Sequence, residues 1–254
     1  MEAERHYAVL FDLDGTLIDS IGLLLRSVRH TFEGREDRVP TEEEWIAGIG
    51  TPLSEQLRPF VESDEDAEEL VTRYRTYQRT HHDKMTTAYD GVLDTLEQLN
   101  NWGHPMGVVT SKSNEMMERG LRHTGMDVYM KTMIGCDSCS LYKPDPFPVR
   151  LALEELGYEA HDAVFVGDSP HDMASGNAAG VTTIAALWGP FTRNQLAPYT
   201  PTLYLDRITE LPAMIERLQN GAIAGRMPRH GTPARKKPQP SESSSDSAAS
   251  RHRP

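Results

Sequence analysis

Apolar residues gather in short runs, separated by segments with a three-to-four residue repeat. Tyr7-Ala8-Val9-Leu10-Phe11 ends in acidic residues and Gly15, the form of a parallel strand buried on both faces. Met106-Gly107-Val108-Val109-Thr110, Ala163-Val164-Phe165-Val166-Gly167 and Val181-Thr182-Thr183-Ile184-Ala185 have the same form. Helical patterns lie between them. Asp90 is placed to cap a helix with Val92, Leu93, Leu96 and Leu99 on one face, stopping near Gly103. Ser113 opens another that ends about Gly125, and Asp145-Pro146 opens a third that ends at Gly157. This alternation predicts an α/β fold, a parallel sheet with helices on both faces. Ligands of such sheets bind in the crevice outside the carboxyl ends of the strands.

The stretch from Ile21 to Met85 breaks the alternation, with helical patterns and no convincing strand. Ser63-Asp64-Glu65-Asp66 has the form of a capping box. It leads a helix with Ala67, Leu70, Val71, Tyr74 and Gln78 at helical spacing. The predicted organisation is a core of residues 1–20 and 86–220, a helical insertion of residues 21–85, and a cleft between them. Near Asn220-Gly221 the composition shifts to Pro, Ser, Arg and Lys, with seven basic residues against Glu242 and Asp246. Residues 221–254 are expected to be disordered, because so little apolar surface does not offset the ordering entropy.

Charge and composition narrow the partners. A formal net charge of −12 over 254 residues argues against a nucleic-acid or anionic-membrane surface, both of which favour clustered Lys and Arg. No apolar stretch reaches the roughly 18 residues of a membrane span. Met1-Glu2-Ala3-Glu4-Arg5-His6 lacks the basic-then-apolar order of a secretion signal. Two cysteines are too few for a disulfide framework, so a reducing cytoplasm is the expected location. Monomer and homodimer both stay open.

The candidate chemistry sits at the ends of the predicted strands. Asp12-Leu13-Asp14-Gly15-Thr16 follows the first strand directly, and residues two apart on an extended chain point the same way. Two neighbouring carboxylates repel and call for a cation, which hard oxygen ligands make magnesium. Thr110-Ser111 brings hydroxyls suited to a phosphate oxygen. Lys143-Pro144-Asp145-Pro146 puts an ammonium just ahead of a helix start, where an anion is favoured. Gly167-Asp168-Ser169-Pro170-His171-Asp172 adds two more carboxylates.

Taken together, Asp12-x-Asp14-Gly15-Thr16, Thr110, Lys143 and Gly167-Asp168-x-x-x-Asp172 resemble, in order and spacing, the four motifs of the haloacid-dehalogenase-like hydrolases. The resemblance spans about Tyr7 to Gln219. It implies a Rossmann-like three-layer α/β/α sandwich, with the insertion as its cap. Gly48-Ile49-Gly50-Thr51-Pro52-Leu53, Tyr74-Arg75, His82-Asp83, Thr110-Ser111-Lys112 and Lys143-Pro144-Asp145-Pro146 are similar to the phosphoglycolate phosphatase-like branch, which includes a bacterial inorganic pyrophosphatase. The implied substrate is a small phosphorylated metabolite, phosphoglycolate first and pyrophosphate second.

The resemblance makes Asp12 the nucleophile and Asp14 the acid and base. Asp12, the main-chain carbonyl of Asp14, and Asp168 would hold Mg²⁺, with Asp172 supporting them. Thr110 and Lys143 would bind the transferring phosphoryl, and Ser111, Lys112, Gly50 and Thr51 would complete the substrate contacts. An acidic Asp14 points away from dehalogenation, and Thr16 stands where the phosphomutase branch often has Val. A non-catalytic binding protein acting through the basic tail is the alternative outside enzymology.

Several other features read as structural. Cys136-Asp137-Ser138-Cys139 has zinc spacing but lacks a second cysteine pair. His81-His82-Asp83 is expected at a solvated helix end. Arg73, Arg75 and Arg79 are expected on a polar face, with Arg75 or Lys112 in reach of the distal part of an anionic substrate. Tyr74 and Tyr77 are expected in the core.

Overall fold

The computed structural model describes residues 6–35 and 38–221. The segment predicted to be disordered, residues 221–254, lies outside them except for Gly221. The chain runs β1 (Ala8–Phe11), β2 (Ile18–Asp19), then α1 (Ile21–Thr31), α2 (Glu42–Ala47), α3 (Leu53–Leu57) and α4 (Asp64–Met85). Next come β3 (Thr87–Ala88), α5 (Val92–Asn101), β4 (Met106–Val109), α6 (Asn114–Thr124), β5 (Met130–Ile134) and α7 (Phe147–Leu156). The chain continues through β6 (Ala163–Gly167), α8 (Pro170–Ala179), β7 (Thr182–Ala186), α9 (Arg193–Leu196), β8 (Leu203–Leu205) and α10 (Leu211–Gln219).

Six strands form a parallel sheet in the order β5-β4-β1-β6-β7-β8. All four residues of β1 are buried, as its place in the middle of a parallel sheet requires. Its register sets Phe11 beside Val108 on one side and Val166 on the other. The residues that follow these strands therefore emerge at one edge of the sheet. Alternate side chains of β1 enter different cores. Val9 and Phe11 pack with Leu96, Leu121 and Ile215, and Leu10 packs with Val149, Leu153 and Phe165. Each fully buried side chain of this size contributes about 1.5–3 kcal/mol. The result is a Rossmann-like α/β sandwich.

A third core gathers Leu24, Val28, Trp45, Leu57, Leu70 and Tyr74 from α1–α4 and seats them on Met173, Phe191 and Leu196. Ser63 Oγ accepts the N–H of Asp66 at 3.1 Å. The Asp66 carboxylate turns to Arg35 instead of completing the box, at 2.6 and 3.0 Å. Antiparallel pairing of β2 with β3 brings the two ends of this helical stretch together.

Several elements depart from the sequence reading. Gly91, not Asp90, precedes α5, at φ +78°, a conformation that glycine adopts without strain. Leu93 is 41% exposed, off the buried face of Val92, Leu96 and Leu99. The edge strands β5 and β8 were not foreseen, nor were the two-residue strands β2 and β3. β5 alternates buried and exposed residues, so it has no continuous apolar run to betray it. No helix among the described residues is long and apolar enough to cross a membrane.

Candidate active site

Lys143 stands at the centre of the site. Its ammonium donates to Oδ1 of Asp12 at 2.6 Å, to Oδ1 of Asp172 at 2.6 Å and to the Val109 carbonyl at 3.1 Å. The side chain is 1% exposed. Burial works to deprotonate it, but Asp12 and Asp172 more than offset that and hold it above the usual lysine range. Burial raises the Asp12 carboxyl to about 7 despite the opposing pull of Lys143. Burial, then the charges of Asp12 and Asp172, push Asp168 up as well.

Asp12, Asp168 and Asp172 each bring a carboxylate oxygen into a group within 4.8 Å. Asp168 accepts from Thr16 Oγ1 at 2.8 Å through one oxygen, and its Oδ2 is buried with no partner among the described residues. Asp172 is anchored by Ser169, whose N–H and hydroxyl reach Oδ2 at 2.9 and 2.6 Å. Three buried carboxylates with one ammonium, and one oxygen left bare, fit a hard divalent cation. Gly15, at φ +87°, presses against this group, and a Cβ there would lie 2.7 Å from Asp168 Oδ2. Gly189 presses on the same residue, and a Cβ there would lie 2.5 Å from the Asp168 Cβ and 2.7 Å from the Gly15 carbonyl.

The Asp14 carboxylate stands apart from that group. It accepts from Ser20 and, through both oxygens, from Lys112 Nζ at 2.6 and 2.7 Å. Asp12 and Asp14 both line a cavity of about 270 Å³, together with Thr110, Ser111 and Lys112. Gly50 and Thr51, from the turn between α2 and α3, form part of its roof.

The structure thus brings every predicted site residue to one end of the sheet, with two changes of partner. Ser111 spends its hydroxyl proton on the Gly50 carbonyl at 2.5 Å, and Lys112 is bonded to Asp14. Thr110 Oγ1 accepts the Lys112 N–H at 3.2 Å, which leaves its own proton for a ligand. Sequence reasoning missed Ser20, Ser169, Gly189 and Trp188, whose indole donates to the Thr16 carbonyl at 2.9 Å. Gly189-Pro190 after β7 is a turn signal that marks the end of another strand in the same crevice.

Other expectations are corrected. His82 is fully buried, not solvated. It leans on Gly120 of α6, pairs with Asp83 at 2.8 Å, and has no partner at Nε2 among the described residues. Tyr74 is buried as expected, whereas Tyr77 is half-buried between the rings of His30 and His81. Arg73 donates to the His30 and Glu33 carbonyls, and Arg79 forks onto Glu115 at 3.1 and 2.5 Å. Arg75 lines the cavity. Cys136 and Cys139 are free thiols, and Cys136 also reaches the cavity wall.

The model of the haloacid dehalogenase-like hydrolase family matches residues 9–186. Pyrophosphatase PpaX of Bacillus velezensis is 35% identical over 211 residues, 83% of this chain and 97% of that protein. PpaX of Bacillus pumilus is 36% identical, over 82% of this chain and 95% of its own. A crystal structure described as a predicted phosphoglycolate phosphatase from Haemophilus somnus superposes with a TM-score of 0.75 at 23% identity. That match covers 83% of this chain and 98% of the other, and it shows a common fold. Four motifs in order, a parallel sheet that gathers them at one edge, and this match over most of the length lead to one assignment: the chain belongs to the haloacid dehalogenase-like hydrolases.

Proposed function

We propose that the protein is a magnesium-dependent phosphatase that hydrolyses a small phosphomonoester through an aspartyl-phosphate. The observation that carries this reading is Asp12, a buried carboxylate oriented by Lys143 at the floor of the cavity, with Asp14 beside it. An Asp12 oxygen bonds to phosphorus as the bond to the leaving oxygen breaks, and Asp14 delivers a proton to that oxygen. Water then attacks the aspartyl-phosphate and gives its proton to Asp14, releasing phosphate and restoring Asp12. Thr110 and Lys143 hold the phosphoryl oxygens and balance their charge. Asp12, Asp168 and the Asp14 carbonyl would hold Mg²⁺, with Asp172 in support, and the ion supplies charge neutralisation at the transferring group. In this reading residues 21–85 act as a cap that excludes water over a core of residues 1–20 and 86–220.

Phosphoglycolate is the first substrate on this reading. Pyrophosphate is the second, supported by relatives above 30% identity that carry the name pyrophosphatase. Phosphate release from a panel of monoesters and pyrophosphate, with Mg²⁺, with EDTA and with Asp12→Asn, tests the proposal. Activity that survives both EDTA and the substitution overturns it, and kcat/KM for the two substrates ranks them. Interconversion of sugar phosphates would favour a mutase. Loss of turnover on removing residues 221–254 would revive a role for the tail.

A further inference from the structure

The charges around the cavity are nearly all spoken for. Asp12 is bonded to Lys143, Asp14 to Lys112, and Glu115 to Arg79. Asp137, also on the wall, accepts the N–H of Asn114 at the start of α6 at 2.7 Å. Two polar side chains of α4 differ. Gln78 lines the cavity, is only 6% exposed, and its amide has no hydrogen-bond partner among the described residues. Arg75, one turn earlier, lines the same cavity; its charge is felt by Glu115, but it forms no ion pair within 4.0 Å among the described residues. The Gln78 side chain is packed on all sides but the cavity, so its amide is held there ready to bond a ligand, and residues three apart on a helix share a face. The cavity lining that holds Asp12 and Asp14 therefore also offers a guanidinium and an amide, neither hydrogen-bonded to a described residue.

We propose that Arg75 and Gln78 form a subsite for a second anionic group, carried on the leaving side of the substrate a few bonds from the phosphorus under attack. A carboxylate and a second phosphate share that chemistry, since each accepts from a guanidinium fork and from an amide N–H. The subsite therefore selects doubly anionic small substrates over esters with neutral leaving groups. The inference rests on Asp12 as the nucleophile of the reading above.

The test compares kcat/KM for phosphoglycolate, pyrophosphate and ethyl phosphate in the full chain with Mg²⁺. Arg75→Met and Gln78→Leu are expected to lower kcat/KM for at least one doubly anionic substrate tenfold or more relative to ethyl phosphate, chiefly through KM. The substrate affected identifies the anion. Gln78→Glu should lower it further by repulsion, and Arg75→Lys should restore part of the loss, which a packing role would not predict. Arg75 is exposed, so its variants keep the test open should Gln78 variants misfold. Ratios that change less than tenfold in the Arg75 variant overturn the subsite while turnover by Asp12 stands. Wild-type turnover that Asp12→Asn leaves intact overturns the underlying reading, and the subsite with it.

Discussion

Lys143 Nζ and Asp12 Oδ1 meet at 2.6 Å although 131 residues separate them in the chain. The lysine arrives from the loop before α7 and the aspartate from the end of β1, and the contact is buried. Removing the ammonium leaves Asp12, Asp168 and Asp172 facing one another. Lys143→Met should therefore destabilise the fold by about 3–5 kcal/mol. Urea unfolding in EDTA measures this, and added Mg²⁺ should recover more stability in the variant than in the wild type.

Asp14 is bonded to Lys112 and Ser20 and is proposed to move the proton. Asp14→Asn should lower kcat for alkyl phosphates on the order of 10²–10⁴-fold. With p-nitrophenyl phosphate, whose leaving group needs no proton, the first step should persist. Rapid-mixing kinetics should then show a burst of nitrophenolate stoichiometric with enzyme, followed by slow turnover. Absence of the burst would remove Asp14 from the second step.

Gly15 has two reasons to be glycine, its φ of +87° and the 2.7 Å between its missing Cβ and Asp168 Oδ2. Gly15→Ala must displace that carboxylate. A shift of about 1 Å costs roughly 10²-fold in rate, so kcat should fall by that order, with weaker Mg²⁺ dependence measured by titration.

His82 carries a pH prediction. Asp83 only accepts, so Nδ1–H donates to it, and Nε2 lies beside Gly120 with no partner among the described residues. Burial lowers the imidazole below its ordinary 6.5, with Asp83 opposing and Lys112 and Arg119 reinforcing. Because the folded state disfavours the proton, this group's contribution is fully present above pH 6.5 and is lost as pH falls through and below it. His82→Leu should flatten the decline in urea midpoint between pH 7.5 and 5.5. An unchanged slope would place the acid sensitivity elsewhere.

Much of this protein was legible in one dimension. Buried parallel strands read as unbroken apolar runs, and β1, β4, β6 and β7 were visible for that reason. Asp12, Asp14, Thr110, Lys143, Asp168 and Asp172 followed, because each lies on or just beyond a strand end or at a helix start, positions that local pattern defines. Edge strands such as β5 face solvent on one side, and their alternation is too short to separate from a helix or loop.

Sequence alone determined the four central strands β1, β4, β6 and β7, the helical stretch after β1 and the types of residue at the sheet's edge. Only the tertiary structure decided who partners whom. Lys112 turned to Asp14, Ser111 to the Gly50 carbonyl, and His82 from solvent into the α4–α6 contact. Those choices depend on distances between segments far apart in the chain, and side-chain charge and size settle them only after the sheet has brought the segments together.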